Sequence, residues 1–185
     1  MKEYILFAGV NGAGKSVFSQ TMPEKIAGMS RVNIDEIVKS FGDWRDFNDM
    51  KKAASIAVKR INDNFSRGKS FNQETTLCGA SILKNIRKAK ELGYRIIVYY
   101  IGVDSADIAK ERVRKRVKNG GHDIPDKDIE RRYTESIRRL REIIPICDEV
   151  TLYDNTKTFH AVAVYKNGKL LWAESLLPVW CPILK

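Results

Sequence analysis

Gly9-Val10-Asn11-Gly12-Ala13-Gly14-Lys15-Ser16 decides the reading of this chain. The octapeptide satisfies G-x-x-x-x-G-K-[ST] at every fixed position. Its glycines let the backbone curl until successive N–H groups face a β-phosphate. Lys15 then reaches the β- and γ-phosphates, the Ser16 hydroxyl binds Mg²⁺, and the positive end of the following helix points at the same anion. Gly9, Asn11, Gly12, Ala13, Gly14, Lys15 and Ser16 are therefore candidate nucleotide ligands. Lys15 is also a catalytic candidate and Ser16 a metal ligand.

Working outward, residues 3–8 form a near-continuous apolar run, as expected of a strand covered on both faces. A helix opens at Lys15-Ser16 and stops near Pro23. Arg31-Val32-Asn33-Ile34 predicts a second strand, ending at Asp35. Residues 49–66 repeat as a helix, with Met50, Ala54, Ala57, Val58, Ile61 and Phe65 on one side and Gly68 as its cap. Ser70–Glu74 is too polar to be assigned as a central strand by pattern. Helix 80–92, stopped by Gly93, precedes Arg95–Ile101, the clearest strand in the chain. Helices over 105–118 and 126–143 flank Asn119-Gly120-Gly121-His122, and a strand follows at 149–153. Asn167-Gly168 signals a hairpin. This order predicts an α/β fold with a doubly wound, mostly parallel central sheet, flanking helices and a C-terminal β-hairpin. Residues 1–185 are expected to be one P-loop kinase domain, with a lid over about 104–145 and the hairpin and tail over about 157–185.

Ligands of open α/β sheets collect at the carboxyl ends of the strands. Asp35 and Glu74 stand at such places. Phosphoryl transfer needs one carboxylate to orient the acceptor hydroxyl and another near Mg²⁺. Asp35 suits the base and Glu74 the metal, through water, or the substrate. An N-cap role for Asp35 fits the residues equally well. Arg112 and Arg116, one helical turn apart, and Arg132 on the next helix suggest an arginine-bearing lid that closes on the triphosphate. Arg138, Arg139 and Arg141 read as a solvated face. His122 is a phosphate contact on closure, and His160 reads as structural.

Composition narrows the classes further. The chain has 185 residues, 43% of them hydrophobic, enough for one domain with a core. No apolar stretch approaches bilayer length, so a cytoplasmic protein without membrane contact is expected. Cys78, Cys147 and Cys181 lack metal spacing and read as buried, reduced thiols. The net charge of +10 raises nucleic acid as a partner. The basic residues concentrate between Lys110 and Arg141, however, which favours local phosphate binding, and base-stacking aromatics are not interleaved with them. The tail from Ser175 is apolar with two prolines. It is expected to lie against the body or a partner, and Leu176–Trp180 reads as exposed.

The chain resembles the zeta-toxin family of P-loop kinases. The resemblance runs through Gly9–Ser16, Val32-Asn33-Ile34-Asp35-Glu36-Ile37, Glu74-Thr75-Thr76-Leu77-Cys78-Gly79, Arg112–Val117 with Gly120-Gly121-His122-Asp123-Ile124-Pro125, Arg131-Arg132-Tyr133 and Tyr153-Asp154-Asn155-Thr156. It implies a five-stranded parallel sheet in kinase-like order and 3′-phosphorylation of the sugar in UDP-N-acetylglucosamine. MgATP or MgGTP would be the donor. Asp35 would deprotonate the acceptor, with Glu74, Thr75 and Thr76 beside it. Arg112 or Arg116, with Arg132, would hold the γ-phosphate. A proteinaceous antitoxin is the implied partner. The chain departs from the family in having Thr75 where a glycine is usual, and a hairpin where longer members carry helices. A nucleoside or polynucleotide kinase and a nucleotide-dependent interaction module without turnover are the alternatives.

Overall fold

Strand β1 (Glu3–Ala8) organises the molecule because both of its faces are covered. Tyr4, Leu6 and Ala8 join one apolar cluster, Ile5 and Phe7 another, and all five are fully buried. In the computed structural model, which describes residues 1–182, β1 is followed by α1 (Lys15–Gln20), α2 (Pro23–Ile26), β2 (Ser30–Val32), α3 (Ile34–Lys39), α4 (Phe47–Ser66) and β3 (Phe71–Thr75). Next come α5 (Ala80–Glu91), β4 (Arg95–Gly102), α6 (Ala106–Lys118), α7 (Asp126–Ile143), β5 (Glu149–Asp154), β6 (His160–Lys166) and β7 (Lys169–Ala173). The sheet order is β2-β3-β1-β4-β5-β6-β7. The first five strands in that order pair in parallel, and β6 and β7 extend the sheet antiparallel. The expected α/β architecture is therefore present: five parallel strands, extended to seven by the C-terminal hairpin.

Helices cover both faces. Ala53, Ala57, Ile61 and Phe65 of α4, Ile82 and Ile86 of α5, and Leu140 and Ile143 of α7 pack on the Tyr4–Leu6–Ala8 face. Phe18 of α1, Ala109 and Val113 of α6, and Ile129 of α7 pack on the Ile5–Phe7 face. Helix α4 starts on Asp46, whose side chain accepts from the Asn48 and Asp49 amides. Val58, expected on its buried side, is 57% exposed. Among the described residues no helix is long and apolar enough to cross a membrane.

Three local expectations give way. Strand β2 ends at Val32, and Asn33 is the N-cap of α3, so Asp35 lies in a helical first turn rather than at a strand end. The polar segment Phe71–Thr75 is a strand between β2 and β1, and it includes Glu74. Its polar side chains have partners there: Gln73 accepts from the Tyr4 hydroxyl, and Asn72 accepts from Arg31 at 3.2 Å. Of the three thiols only Cys147 is buried; Cys78 and Cys181 are half-buried.

The segment expected as a lid is partly core. The Tyr133 hydroxyl donates to the Val103 carbonyl at 3.0 Å, and Ser136 meets the Tyr100 hydroxyl at 3.0 Å. Arg139, expected on a solvated face, is only 9% exposed and donates to Glu142 at 2.5 Å. Helices α6 and α7 are joined by Lys110–Glu130 at 2.7 Å and by Arg114–Asp126.

The Tyr4–Gln73 pair tests why a polar strand holds a central position. Tyr4→Phe should lower stability by about 1–3 kcal/mol in a urea melt, because Gln73 keeps its polar atoms without the phenol. Tyr4→Phe combined with Gln73→Leu should recover part of that loss.

Candidate functional site

The phosphate loop leaves the end of β1 under tight steric limits. Gly9 has φ +137°, and a Cβ there would stand 2.2 Å from the Ile101 carbonyl oxygen on β4. The Ala13 amide closes the turn on the Val10 carbonyl at 3.2 Å. Lys15 lies along the inside of the loop, 7% exposed, and its Nζ donates to the same Val10 carbonyl at 3.0 Å. Burial lowers the Lys15 pKa from 10.5, while the Glu74 and Asp35 carboxylates oppose the shift and Arg116 adds to it. Three elements, β3, α3 and α6, thus bring charges to bear on one ammonium.

Glu74 is the junction of the site. Its carboxylate accepts from Ser16 Oγ at 2.8 and 3.0 Å, from Arg31 Nη2 at 2.9 Å and from Asn33 Nδ2 at 2.9 Å. Arg31 also donates to Glu36 at 2.8 Å and to Asn72. Asn33 uses its side-chain oxygen to accept from the Asp35 amide at 2.9 Å and the Glu36 amide. One asparagine therefore caps α3 and fixes the orientation of the Glu74 carboxylate. The Ser16 hydroxyl against this carboxylate is an all-oxygen donor pair, which fits the preference of Mg²⁺.

Asp35 projects from the first turn of α3. His122 Nδ1, in the loop between α6 and α7, lies 3.4 Å from Asp35 Oδ1, at the outer limit of a hydrogen bond. The Trp44 ring stacks on His122 with centroids 4.6 Å apart, and the Arg45 guanidinium sits over the Trp44 ring at 4.4 Å. Asp35 has its pKa lowered, first by the His122 contact, against desolvation, then by the charges of His122, Arg116 and Lys15. An ionised carboxylate 42% exposed at its side chain is thereby presented beside the phosphate loop.

The other predicted residues fall in different places. Arg132 donates to Asn11 Oδ1 at 3.0 Å and so touches the loop directly. Arg116 is within electrostatic reach of Lys15 and Asp35, and its Nη2 donates to the His122 carbonyl at 2.5 Å. Arg112 turns away from this group, donating to the Asn155 and Thr156 carbonyls at 2.6 and 3.1 Å. Thr75 Oγ1 accepts from the Leu77 amide at 3.0 Å, and the Thr76 carbonyl accepts from Cys78 Sγ. Both threonines thus have local duties in the turn after β3. His160, read as structural, bonds the Thr158 carbonyl and Glu174 on the hairpin. Sequence reasoning missed Arg31, Trp44 and Asn155. Only the Asn33-x-x-Glu36 spacing, a helix-start signature, could have exposed Asn33 as the cap.

Known proteins share the fold that carries this site. The AAA_33 family profile, described as an AAA domain, matches residues 5–139. An uncharacterised protein of Haemophilus influenzae is 30% identical over 132 residues, covering 70% of this chain and 91% of that protein. Among solved structures, AvrRxo1-ORF1:-ORF2 with ATP superposes with a TM-score of 0.72 at 17% identity, over 92% of this chain. The chain spans 60% of the length of that relative. The PezAT chromosomal toxin–antitoxin system of Streptococcus pneumoniae gives 0.64 at 16% identity, covering 86% of this chain and 71% of that one. Shikimate kinase from Acinetobacter baumannii gives 0.52 at 16% identity, with 85% and 86% covered. At such identities the likeness to the solved structures is one of fold.

The two pKa shifts give a joint expectation. His122→Ala should raise the Asp35 carboxyl toward its ordinary value of 3.8, followed by carboxyl carbon NMR. A carboxylate depressed on folding contributes stability that is present above that ordinary value and lost as pH falls through the depressed one. The stability gap between wild type and His122→Ala should therefore close on acidification. At the alkaline end, nucleotide affinity measured by calorimetry should begin to fall below pH 10.5, as the buried Lys15 loses its proton.

Proposed function

The chain belongs to the AAA_33 family, and from that premise we propose that this P-loop kinase-like nucleotide-binding protein transfers the γ-phosphate of ATP or GTP to a small-molecule hydroxyl, in the manner of zeta-toxin kinases. The observation that carries the reading is the convergence of Lys15, Ser16, Glu74 and Asp35 on one end of the sheet. Lys15 and the loop amides bind the β- and γ-phosphates. Ser16, and Glu74 through water, would hold Mg²⁺, which neutralises charge on the phosphate oxygens when bound. Arg132, next to Asn11, and Arg116, next to Lys15, are placed to meet charge developing on the transferred group.

Asp35 accepts the hydrogen bond of the acceptor hydroxyl. The hydroxyl oxygen forms a bond to the γ-phosphorus, and the bond from that phosphorus to the β–γ bridging oxygen breaks. The proton passes to Asp35, and the nucleoside diphosphate leaves. A loose transition state asks little basicity of the carboxylate, so a depressed pKa is compatible with the role. Ionisation and aim matter more. The helical lid is proposed to move mainly about Asn119–Pro125, since α7 is fastened to the sheet through Tyr133 and Ser136. Arg112 would join the phosphates only after leaving the Asn155 and Thr156 carbonyls.

UDP-N-acetylglucosamine is the first acceptor to test, by the zeta-toxin resemblance, and an antitoxin protein is the partner that the same resemblance suggests. The exposed Leu176 and Val179, at 85% and 92%, favour the interaction module as the second reading.

Purified protein with Mg²⁺ and γ-labelled ATP or GTP should be offered UDP-N-acetylglucosamine, other sugar nucleotides, nucleosides and RNA. Label on UDP-N-acetylglucosamine is expected; label on another acceptor would keep the chemistry and replace the substrate. Asp35→Asn should lower transfer about 10²–10⁴-fold while nucleotide still binds. Lys15→Ala should lose both. Nucleotide binding without transfer to any acceptor would sink the kinase reading in favour of the interaction module.

A further inference from the structure

Trp180 lies in the tail, far along the chain from the phosphate loop, and was expected to be exposed. It is instead 3% exposed, and its indole packs across the end of β4. The ring packs at a tilt of 35° against Tyr100, with centroids 5.5 Å apart. It also covers Gly102 so closely that a Cβ there would fall 2.3 Å from indole Cε2. The indole Nε1 donates to Asp154 Oδ1 at 2.8 Å, at the end of β5. Asp154 is itself buried, and its carboxylate accepts from the Thr156 hydroxyl at 2.8 Å and the Thr156 amide at 3.0 Å.

From Asp154 the contacts run straight to the candidate site. The Asn155 amide donates to the Gly102 carbonyl at 2.9 Å. Asn155 Nδ2 donates to the Ala13 carbonyl, inside the phosphate loop, at 2.8 Å. The carbonyls of Asn155 and Thr156 hold the Arg112 guanidinium, and Thr156 Oγ1 accepts from the Asp104 amide at 3.0 Å. Apart from the peptide bond that joins Asp154 to Asn155, every link is a hydrogen bond or a packed ring, and the far end is the peptide that must present its amides to a phosphate. We infer that Trp180 is a positioning residue for the phosphate loop: by fixing Asp154, the tail aims Asn155 at Ala13 and sets the resting place of Arg112. The inference concerns the nucleotide site proposed above and rests on that reading for its functional consequence. Its structural content, a loop held by a tail, stands apart from turnover.

Two properties of the link make it more than ordinary core packing. Asp154 is a buried carboxylate that accepts from the indole N–H and from two groups of Thr156, so the loss of the indole donor leaves a buried charge less well satisfied. The carboxylate would then turn toward solvent, and residues 155–156 are its immediate neighbours. Gly102 serves both partners at once: its α-carbon makes room for the indole, and its carbonyl receives the Asn155 amide. A shift of the tail is thus transmitted to the loop through the last residues of two strands, Gly102 of β4 and Asp154 of β5.

The test begins without nucleotide. Hydrogen exchange should be followed by mass spectrometry in wild type, Trp180→Phe, Gly102→Ala and Asn155→Ala. Trp180→Phe keeps an aromatic ring on Tyr100 but removes the N–H; Gly102→Ala displaces the indole from outside the tail. Both are expected to speed exchange of peptides covering 9–16 and 154–158, with peptides from α4 and α5 unchanged. Faster exchange in the tail and in 154–158 alone, with 9–16 as in wild type, would overturn the inference. So would uniform acceleration over the whole chain, which marks global destabilisation.

Nucleotide affinity then supplies a second readout. ADP should bind Trp180→Phe about five-fold or more weakly at a temperature well below its melting point. The loss should be smaller in the Asn155→Ala background, where the link to Ala13 is already cut. Full additivity would count against the chain of contacts. Failure of wild type to bind any nucleotide would instead refute the functional reading, leaving the exchange result to decide the positional one.

Discussion

The Glu74 carboxylate is the constraint on which the arrangement of the site depends. It stands near the end of β3, between the edge strand β2 and the central strand β1. Three donors from three parts of the chain converge on it: the Ser16 hydroxyl, the Arg31 guanidinium and the Asn33 amide. Charge-assisted hydrogen bonds of this kind are short and directional. They therefore set the distance between the start of α1, which carries Lys15, and the start of α3, which carries Asp35. The half-buried position of Glu74 lessens the competition from water that weakens exposed ion pairs.

Around that junction the site is a compromise between burial and charge. Lys15 is driven away from its ordinary proton affinity by desolvation, and the loop answers only with the Val10 carbonyl and two nearby carboxylates. A phosphate would complete what those groups supply in part. Asp35 also has its pKa lowered, by His122, Arg116 and Lys15, which for a carboxyl favours the charged form. Two perturbed groups within one cleft mark a functional site more strongly than either shift alone. The contacts of Trp44 with His122 and with Arg45 place aromatic surface on the Asp35 side of the cleft, built from two loops with no pattern of their own.

Much of this was legible before any coordinates. The octapeptide Gly9–Ser16 specifies its conformation locally, because its glycines accept torsions that other residues resist. Arg95–Ile101 announced itself as a strand through β-branched and aromatic residues buried on both faces. Phe71–Thr75 did not. Its centre is Asn72-Gln73-Glu74, and only Tyr4, Arg31 and Ser16, distant in sequence, make those polar groups tolerable inside a sheet. Asp35 was expected at a strand end, but Asn33 takes the cap and sets its carboxylate in a helical turn. Trp180 was read as exposed because the hydropathy of a tail does not reveal what it lies against.

The sequence by itself determined the class of fold and the identity of the phosphate loop, since both follow from short-range rules: side-chain periodicity within elements and torsional freedom within one turn. Tertiary structure decided which charged groups share the cleft. It joined Glu74 to Ser16, Arg31 and Asn33, set His122 against Asp35, divided Arg112 from Arg116 and Arg132, and laid Trp180 over Gly102. The physical reason is that hydrogen bonds and ion pairs depend on distance and direction in space. For residues 43 to 142 positions apart, as in Arg31–Glu74 and Ala13–Asn155, those follow only from how strands are ordered and helices packed.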